Sequence, residues 1–181
     1  MKKLIKKLLR ENLFKSPFKG QNILFHSTQY DRAINILNDN EIFAATKQTI
    51  KTKLNKTNPN YNENSKNYNG VSLTRDSKLQ FGDVQFILDG DLIKRDYGNK
   101  LVPFDFFSSY LNKSSLNRSE SEEFLIGPLK NIKKYLLGIR IIRVYQSLRS
   151  FYEEDREGYY LFKESIGRIP LFDEKFNEIE L

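Results

Sequence analysis

Short runs of apolar residues separated by polar segments fill most of the chain, a pattern typical of a domain that mixes strands with a few helices. Ile23-Leu24-Phe25 is such a run, ends at His26, and predicts a buried strand. Apolar residues recur at helical spacing over residues 29–39, so we expect a helix there, capped by Thr28. Ile42-Phe43-Ala44 predicts a second short strand.

Two apolar runs in the middle of the chain predict a pair of strands. Residues 70–74 and 84–88 have strand-like composition, and the Gly82-Asp83 turn between them indicates a hairpin with a loop. Residues 89–105 show no regular period and predict an irregular segment with a turn at Pro103.

The last third of the chain repeats the alternation of strand and helix. Residues 122–126 and 137–144 predict strands, and residues 129–135 between them predict a helix. Two more helices are expected, a short one at 106–111 and a charged one near 146–156, followed by a loosely packed tail. Short strands without the regular alternation of a doubly wound sheet predict an α+β fold.

Two segments differ in kind from the rest. Residues 2–14 predict an amphipathic helix whose polar side is strongly basic, and residues 46–69 predict a long polar loop, poor in large aliphatic residues. We therefore expect residues 1–19 to form a basic helix and linker, and residues 20–181 to form a single domain. We expect the helix to pack its apolar stripe on the domain. A membrane-surface, nucleic-acid or partner-docking arm is the alternative.

Composition limits the kinds of site that the chain can hold. It has no cysteine and one histidine, which excludes disulfides, thiolate metal sites and multi-histidine zinc sites, and no metal is expected. The absence of cysteine favours a cytoplasmic protein. A net charge of +7 favours an acidic partner such as nucleic acid or a nucleotide. No apolar run approaches the roughly 20 residues of a membrane span, and no glycine-rich phosphate loop is present.

Two strand ends carry hydrogen-bonding side chains that suit a polar ligand. His26 ends the first predicted strand and is followed by Ser27 and Thr28. Ser72-Leu73-Thr74 alternates hydroxyl and apolar residues, so both hydroxyls lie on one face of a strand. A lone histidine is more often a structural residue, and hydroxyls on a half-exposed strand are common, so neither motif alone defines a site.

An acidic run supplies the third motif. Glu120 and Glu122 project to the same side of an extended segment, whereas Glu123 faces the other way. Two carboxylates this close repel each other, which raises the pKa of one of them. A solvated acidic surface would have the same sequence.

Taken in this order, the three motifs resemble those of the ADP-ribosyltransferase superfamily, particularly small phage-encoded members that begin with a basic helix. Those proteins carry a His-Gly-Thr-like strand end, a Gly-Val-Ser-Leu-Thr-Arg-Asp-like strand and a Glu-x-Glu-Glu-like stretch. The resemblance spans about residues 22–145. Ser27 stands where glycine is usual, and Leu73-Thr74 stands where tyrosine or a second serine often completes the middle motif. The resemblance implies a split β-sheet core with flanking helices.

The resemblance also implies NAD as substrate and a role for each matched residue. Glu122 would stabilise the oxocarbenium-like state formed as the nicotinamide–ribose bond breaks, and Glu120 would orient or deprotonate the acceptor. Ser72 would position the nicotinamide ribose and Glu122. The residues implied to bind NAD are His26, Ser27, Thr28, Ser72, Thr74 and Arg75. Of these, Arg75 has a planar guanidinium suited to the pyrophosphate.

The implied function is transfer of ADP-ribose from NAD to a protein or nucleic-acid acceptor, in the host cytoplasm if the chain is phage-encoded. The Glu-x-Glu form resembles members that modify arginine, whereas the basic charge favours nucleic acid. Residues 46–69 are a candidate lid, and residues 112–121 a candidate acceptor-recognition loop. Two alternatives stay open: an RNA 2′-phosphotransferase-like enzyme or NAD hydrolase on the same fold, and a non-catalytic binding module that works through its basic helix.

Overall fold

The computed structural model describes five parts of the chain: residues 17–18, 20–44, 69–78, 82–103 and 122–181. The predicted N-terminal helix, nearly all of the long polar loop and the predicted 106–111 helix lie outside these parts. The 112–121 loop, with Glu120, lies outside them too.

The described residues form a mixed α/β structure built on one large sheet. They include ten strands, which are β1 Ile23–Thr28, β2 Glu41–Ile42, β3 Gly70–Thr74, β4 Val84–Asp89, β5 Leu101–Pro103, β6 Glu122–Ile126, β7 Leu129–Lys130, β8 Leu136–Ile141, β9 Leu171–Phe172 and β10 Glu178–Ile179. Eight of them form a sheet in the order β10-β9-β8-β4-β1-β3-β6-β5, and β2 pairs with β7 separately. Neighbours in the large sheet are antiparallel except β8 and β9. This architecture is compatible with the predicted α+β class.

Four helices accompany the sheet in the part of the chain that the structure describes. They are α1 Tyr30–Asp39, α2 Gly90–Tyr97, α3 Val144–Glu154 and α4 Arg156–Ile166. None of these described helices is long and apolar enough to cross a membrane. The expected cap of α1 is wrong by one residue, because Gln29 occupies the N-cap position and its side chain makes no capping bond.

The predicted hairpin of β3 and β4 is wrong, because β1 lies between them. Ile23, Leu24 and Phe25 are all buried, so β1 has apolar residues on both faces and occupies a central position with a neighbour on each side. The chain returns to β4 past the end of β1, where Gly82 lies against Thr28. A Cβ atom at Gly82 would lie 2.5 Å from the Thr28 carbonyl carbon, so this crossing requires glycine.

Both faces of the sheet are packed. The larger apolar cluster lies on the face of Leu24 and Phe86 and includes Leu37 of α1 and Phe162 of α4. The smaller cluster lies on the opposite face, where alternation along β1 places Ile23 and Phe25. Its buried members are Phe18, Ile23, Phe25, Ile87 and Phe172.

Three other predictions of local structure are wrong. Residues 89–103, the described part of the segment expected to be irregular, are regular, because the Asp89 side chain accepts a hydrogen bond from the Leu92 amide and caps α2, and β5 follows. Residues 129–135 form β7 and a 3₁₀ turn, with Asn131 at a φ of 55° where a helix would have to continue. The predicted loose tail holds α4, β9 and β10. The predicted burial of Ile139, Ile141 and Ile142 is confirmed.

Candidate active site

The three motif strands are consecutive neighbours in the sheet, in the order β1, β3 and β6. β1 carries His26, β3 carries Ser72 and Thr74, and β6 begins at Glu122. Thr74 lies opposite Phe25 on one side and opposite Glu122 on the other. Segments far apart in the sequence are therefore brought together within three strands.

The junction between β1 and β3, here called the seam, is the weakest in this part of the sheet. β1 pairs with β4 at six register positions and β3 pairs with β6 at four, but β1 and β3 share only Phe25↔Thr74. Beyond that pair, His26, Ser27 and Thr28 on one strand face the segment around Ser72 on the other without a ladder between them. We call this the open end of the seam.

His26 bridges the open end. Its Nδ1 lies 3.1 Å from the carbonyl oxygen of Ser72, and its half-buried ring stacks near Phe86 with 6.5 Å between ring centroids. Burial lowers the pKa of His26 below 6.5, which favours the neutral ring. Because a carbonyl oxygen only accepts, Nδ1 carries the proton, and Nε2 is left as an acceptor for a hydroxyl group.

The side chains of His26 and Ser72 start from opposite faces of the sheet. Thr74 is opposite Phe25, so Thr74 and Ser72 belong to the face of the smaller cluster. His26 is opposite Phe86, on the face of the larger cluster. Ser72 is exposed and Thr74 is buried. The contact between the two motifs therefore runs from the histidine ring to a backbone carbonyl.

Arg75 closes the other end of the seam. Its Nε donates to Oε1 of Glu123 at 2.6 Å, Nη2 donates to the same oxygen, and Nη1 donates to Oδ1 of Asn22. Asn22 in turn donates from Nδ2 to Oδ1 of Asp91 at 2.9 Å. Arg75, which the resemblance assigns to the pyrophosphate of NAD, is thus paired with a carboxylate. It joins the segment before β1 to β6. Asn22 and Asp91 were not predicted as part of the site, because no local pattern marks contacts between residues so far apart in the chain.

The acidic run divides at the start of β6. The Glu123 side chain is 12% exposed and is paired with Arg75. Glu122 precedes it at the end of the strand, opposite Thr74. Because Glu123 is held in this ion pair, Glu122 is the carboxylate of β6 whose catalytic role is to be tested.

A buried polar row crosses the sheet beside the open end. Ser27, Gln85 and Arg140 lie opposite one another on β1, β4 and β8. Gln85 Nε2 donates to Ser27 Oγ at 3.2 Å, and Arg140 Nη1 donates to Gln85 Oε1 at 2.9 Å. Sequence reasoning missed this row, because a single arginine between the isoleucines of β8 has the pattern of an exposed strand position.

Arg140 connects two loops to the sheet. Nη1 also donates to the Ser77 carbonyl at 2.8 Å, Nη2 donates to the Glu174 carbonyl at 2.5 Å, and the guanidinium lies 4.4 Å from the centre of the Phe176 ring. Burial lowers the pKa of Arg140, although an arginine keeps its charge in any ordinary buffer. Within the described residues, its hydrogen-bond acceptors are two carbonyls and an amide, which makes this a structural arginine.

Comparison of the chain with protein-family models, with curated proteins and with solved structures finds no match. Among the residues that the structure describes, no group of three His, Asp or Glu side chains is arranged to hold a metal ion. The site is therefore interpreted from its own geometry.

Acidification tests the protonation state of His26. We expect the free energy of unfolding to fall below about pH 6.5, by at most about 1.4 kcal/mol per pH unit, because unfolded His26 binds a proton more readily than folded His26. Above that pH both forms are neutral and contribute no pH dependence. His26→Asn keeps a donor near the position of Nδ1 but does not titrate, and the chain has one histidine. Denaturant unfolding of both proteins at pH 7.5 and 5.5 gives the difference, and identical pH dependence would contradict the buried neutral ring.

Proposed function

We propose that this chain is an NAD-dependent ADP-ribosyltransferase that modifies a macromolecular acceptor. The observation that carries the proposal is the open end of the seam. It places His26, Ser27, Thr28 and Ser72 at the one junction of the three motif strands where the ladder is interrupted. These are residues that the resemblance assigns to NAD. A ligand with many hydroxyl and phosphate oxygens would meet hydrogen-bonding side chains on both strands of this junction.

The proposed binding mode follows from the hydrogen-bonding capacity of each group. Nε2 of neutral His26 accepts from a ribose hydroxyl, since Nδ1 is occupied by the Ser72 carbonyl. The hydroxyl of Ser72, which is exposed, is free to orient the nicotinamide ribose. Ser27 and Thr28 follow His26 on β1 and are proposed to bind NAD with it. Thr74, also assigned to NAD, lies at the register pair where the open end begins.

The proposed reaction breaks one bond and forms another at the same carbon. The bond between the nicotinamide nitrogen and ribose C1′ breaks with its electron pair on nicotinamide, and the acceptor nucleophile bonds to C1′ and loses a proton. Glu122 stabilises the positive charge that develops on the ribose, and Glu120 takes the proton from the acceptor. Glu122 fits this role because its neighbour Glu123 is already paired with Arg75.

Arg75 takes a positioning role in this proposal. It reaches from the end of β3 to Asn22 and to Glu123, and so fixes β6 relative to β1. This contact supports a fixed distance between the NAD-binding edge and Glu122. The pyrophosphate would then lie at the open end, away from the arginine.

The acceptor is proposed to be a protein arginine or a nucleic acid, and for a phage-encoded chain it would belong to the host cytoplasm.

Binding of NAD is the first test. NAD at about 100 times its dissociation constant should stabilise the native protein by about 2.7 kcal/mol, seen as a higher melting temperature. His26→Ala should remove most of this increase, because it removes the ribose acceptor at the seam. Lys94→Ala, an exposed change on α2, is the matched control and should keep it.

The fate of labelled NAD separates the remaining functions. With label in the ADP-ribose part and cell lysate as acceptor source, a transferase labels macromolecules and a hydrolase releases free ADP-ribose. A phosphotransferase needs RNA that carries a 2′-phosphate. A binding module shows neither a thermal shift nor turnover, and that result would reject the proposal.

A further inference from the structure

Helices α3 and α4 form a groove on the surface that is lined by aromatic and basic side chains. It is open to solvent and has a volume of about 450 Å³. The lining residues are Leu148, Arg149, Tyr152, Tyr159, Tyr160 and Lys163. None of them belongs to the seam.

The three tyrosines form a continuous aromatic surface. Tyr152 and Tyr159 meet edge to face with 5.3 Å between ring centroids, and Tyr159 and Tyr160 do so with 5.6 Å. Tyr160 is 58% exposed, and the adjacent Leu161 is 44% exposed. Large exposed apolar side chains grouped in this way mark a binding surface more often than a solvated one.

The charges of the two helices are segregated around the groove. Arg149 is the one basic residue of α3, and Arg156 and Lys163 are those of α4. Arg149 and Lys163 line the groove, and the Arg156 guanidinium lies 5.2 Å from the centre of the Tyr152 ring. Arg156, Tyr160 and Lys163 follow helical i, i+4, i+7 spacing and so share one stripe.

Among the residues that the structure describes, the groove lining includes no acidic side chain. The acidic residues of the two helices and their junction are Glu153, Glu154, Asp155, Glu157 and Glu164. Glu153 pairs with Arg149 through Nε at 2.8 Å, and Asp155 caps α4 by accepting from the Gly158 amide. Residues 144–166 carry five acidic and three basic side chains, and Arg149 is paired with Glu153, so the positive charge beside the groove comes from Arg156 and Lys163.

We propose that this groove binds single-stranded nucleic acid. Bases stack on tyrosine faces, and phosphates pair with the flanking Arg156 and Lys163, which is how proteins bind single strands without reading their sequence. An acidic protein partner would use the cations but need not offer a ring to the tyrosines, whereas every nucleotide of a single strand carries both a phosphate and a base. This inference does not depend on the proposed reaction, since it needs neither NAD nor the seam.

The test measures fluorescence anisotropy of a labelled oligo(U) of about 12 nucleotides against the full chain. Tyr160→Leu should weaken binding about tenfold or more, because it removes the stacking face without changing charge. Tyr160→Phe keeps the ring and should bind within about twofold of the wild type. Tyr160 is largely exposed, so neither change should lower the melting temperature.

A charge reversal supplies the second arm. Lys163→Glu should weaken binding about fivefold or more and reduce the slope of affinity against salt, because it removes a phosphate contact. Lys94→Glu makes the same charge change on α2 and should weaken binding less than about twofold at physiological salt.

Four results would overturn the proposal. They are unchanged binding by Tyr160→Leu, equal losses from Lys163→Glu and Lys94→Glu, equal affinity for a duplex of the same length, and displacement of oligo(U) by polyglutamate as readily as by unlabelled oligo(U). The first two would place nucleic-acid binding elsewhere on this basic chain. The last would indicate an acidic protein as the partner.

Discussion

Glu122→Gln is expected to slow release of nicotinamide from NAD by about 10²–10³-fold, because the neutral amide cannot stabilise the positive charge that develops on the ribose. The size and shape of the side chain are retained, so NAD should still raise the melting temperature of the variant. Nicotinamide release at saturating NAD gives the loss in turnover, and thermal shift gives the retained binding.

Glu123→Gln is the matched control for this experiment. It changes the neighbouring residue in the same chemical way but acts on the ion pair with Arg75. We expect a much smaller loss of turnover than in Glu122→Gln. Stability should fall, because the contacts of Arg75 with Glu123 and Asn22 link β6 to the start of β1. Full turnover in Glu122→Gln would reject Glu122 as the acid and, with it, the assignment of the reaction to this site.

Arg140→Ala is expected to lower the free energy of unfolding by about 3 kcal/mol, since several hydrogen bonds and a cation–π contact of a buried side chain are lost. Gln85 Oε1 loses this donor, and the carbonyls of Ser77 and Glu174 lose their link to the sheet. For a protein of this size the melting temperature should fall by about 6–12 °C. Calorimetry or denaturant unfolding measures the change.

Arg168→Ala removes the same kind of side chain from an exposed position and should change stability by less than about 0.5 kcal/mol. Arg140→Met, which keeps much of the volume but none of the donors, separates packing from hydrogen bonding. If Arg140→Ala and Arg168→Ala were equally stable, the polar row could not be an important support of the sheet.

Local patterning was enough to locate most of the large sheet's strands. β1, β3, β4, β6 and β8 coincide with apolar runs in the sequence, because strands in the middle of a packed sheet are buried on both faces. Their order was not predictable in the same way. β3 and β4 follow each other along the chain and looked like a hairpin, but each of them pairs with β1 instead.

Two elements were missed although the sequence marked them. Asp89 before Leu92 and Ile93 is a recognisable helix start, and it explains why residues 90–97 are helical. Asn131 adopts a left-handed conformation that interrupts the helix expected at 129–135. In both cases one polar residue decided the local structure, and a count of apolar periodicity overlooks it.

The candidate site could be predicted as a set of strands but not as a set of contacts. The sequence identified His26 and Ser72, and the structure places them on adjacent strands. That His26 would reach the Ser72 backbone, and that Arg75 would pair with Glu123, depends on register and on strand separation. Register and strand separation are set by packing between distant segments, so they cannot be predicted from local patterns in a single sequence.

The single register pair of the seam makes the large sheet unequally stiff. A ladder of several hydrogen bonds resists torsion between neighbouring strands, whereas one pair at Phe25↔Thr74 acts as a pivot. We therefore expect two groups of strands, β10, β9, β8, β4 and β1 on one side and β3, β6 and β5 on the other, to move more easily against each other than strands within a group do. Arg75 on one side of the Phe25↔Thr74 pair and His26 on the other hold the angle between the two groups. A ligand bound beside His26 is therefore expected to rotate one group of strands relative to the other.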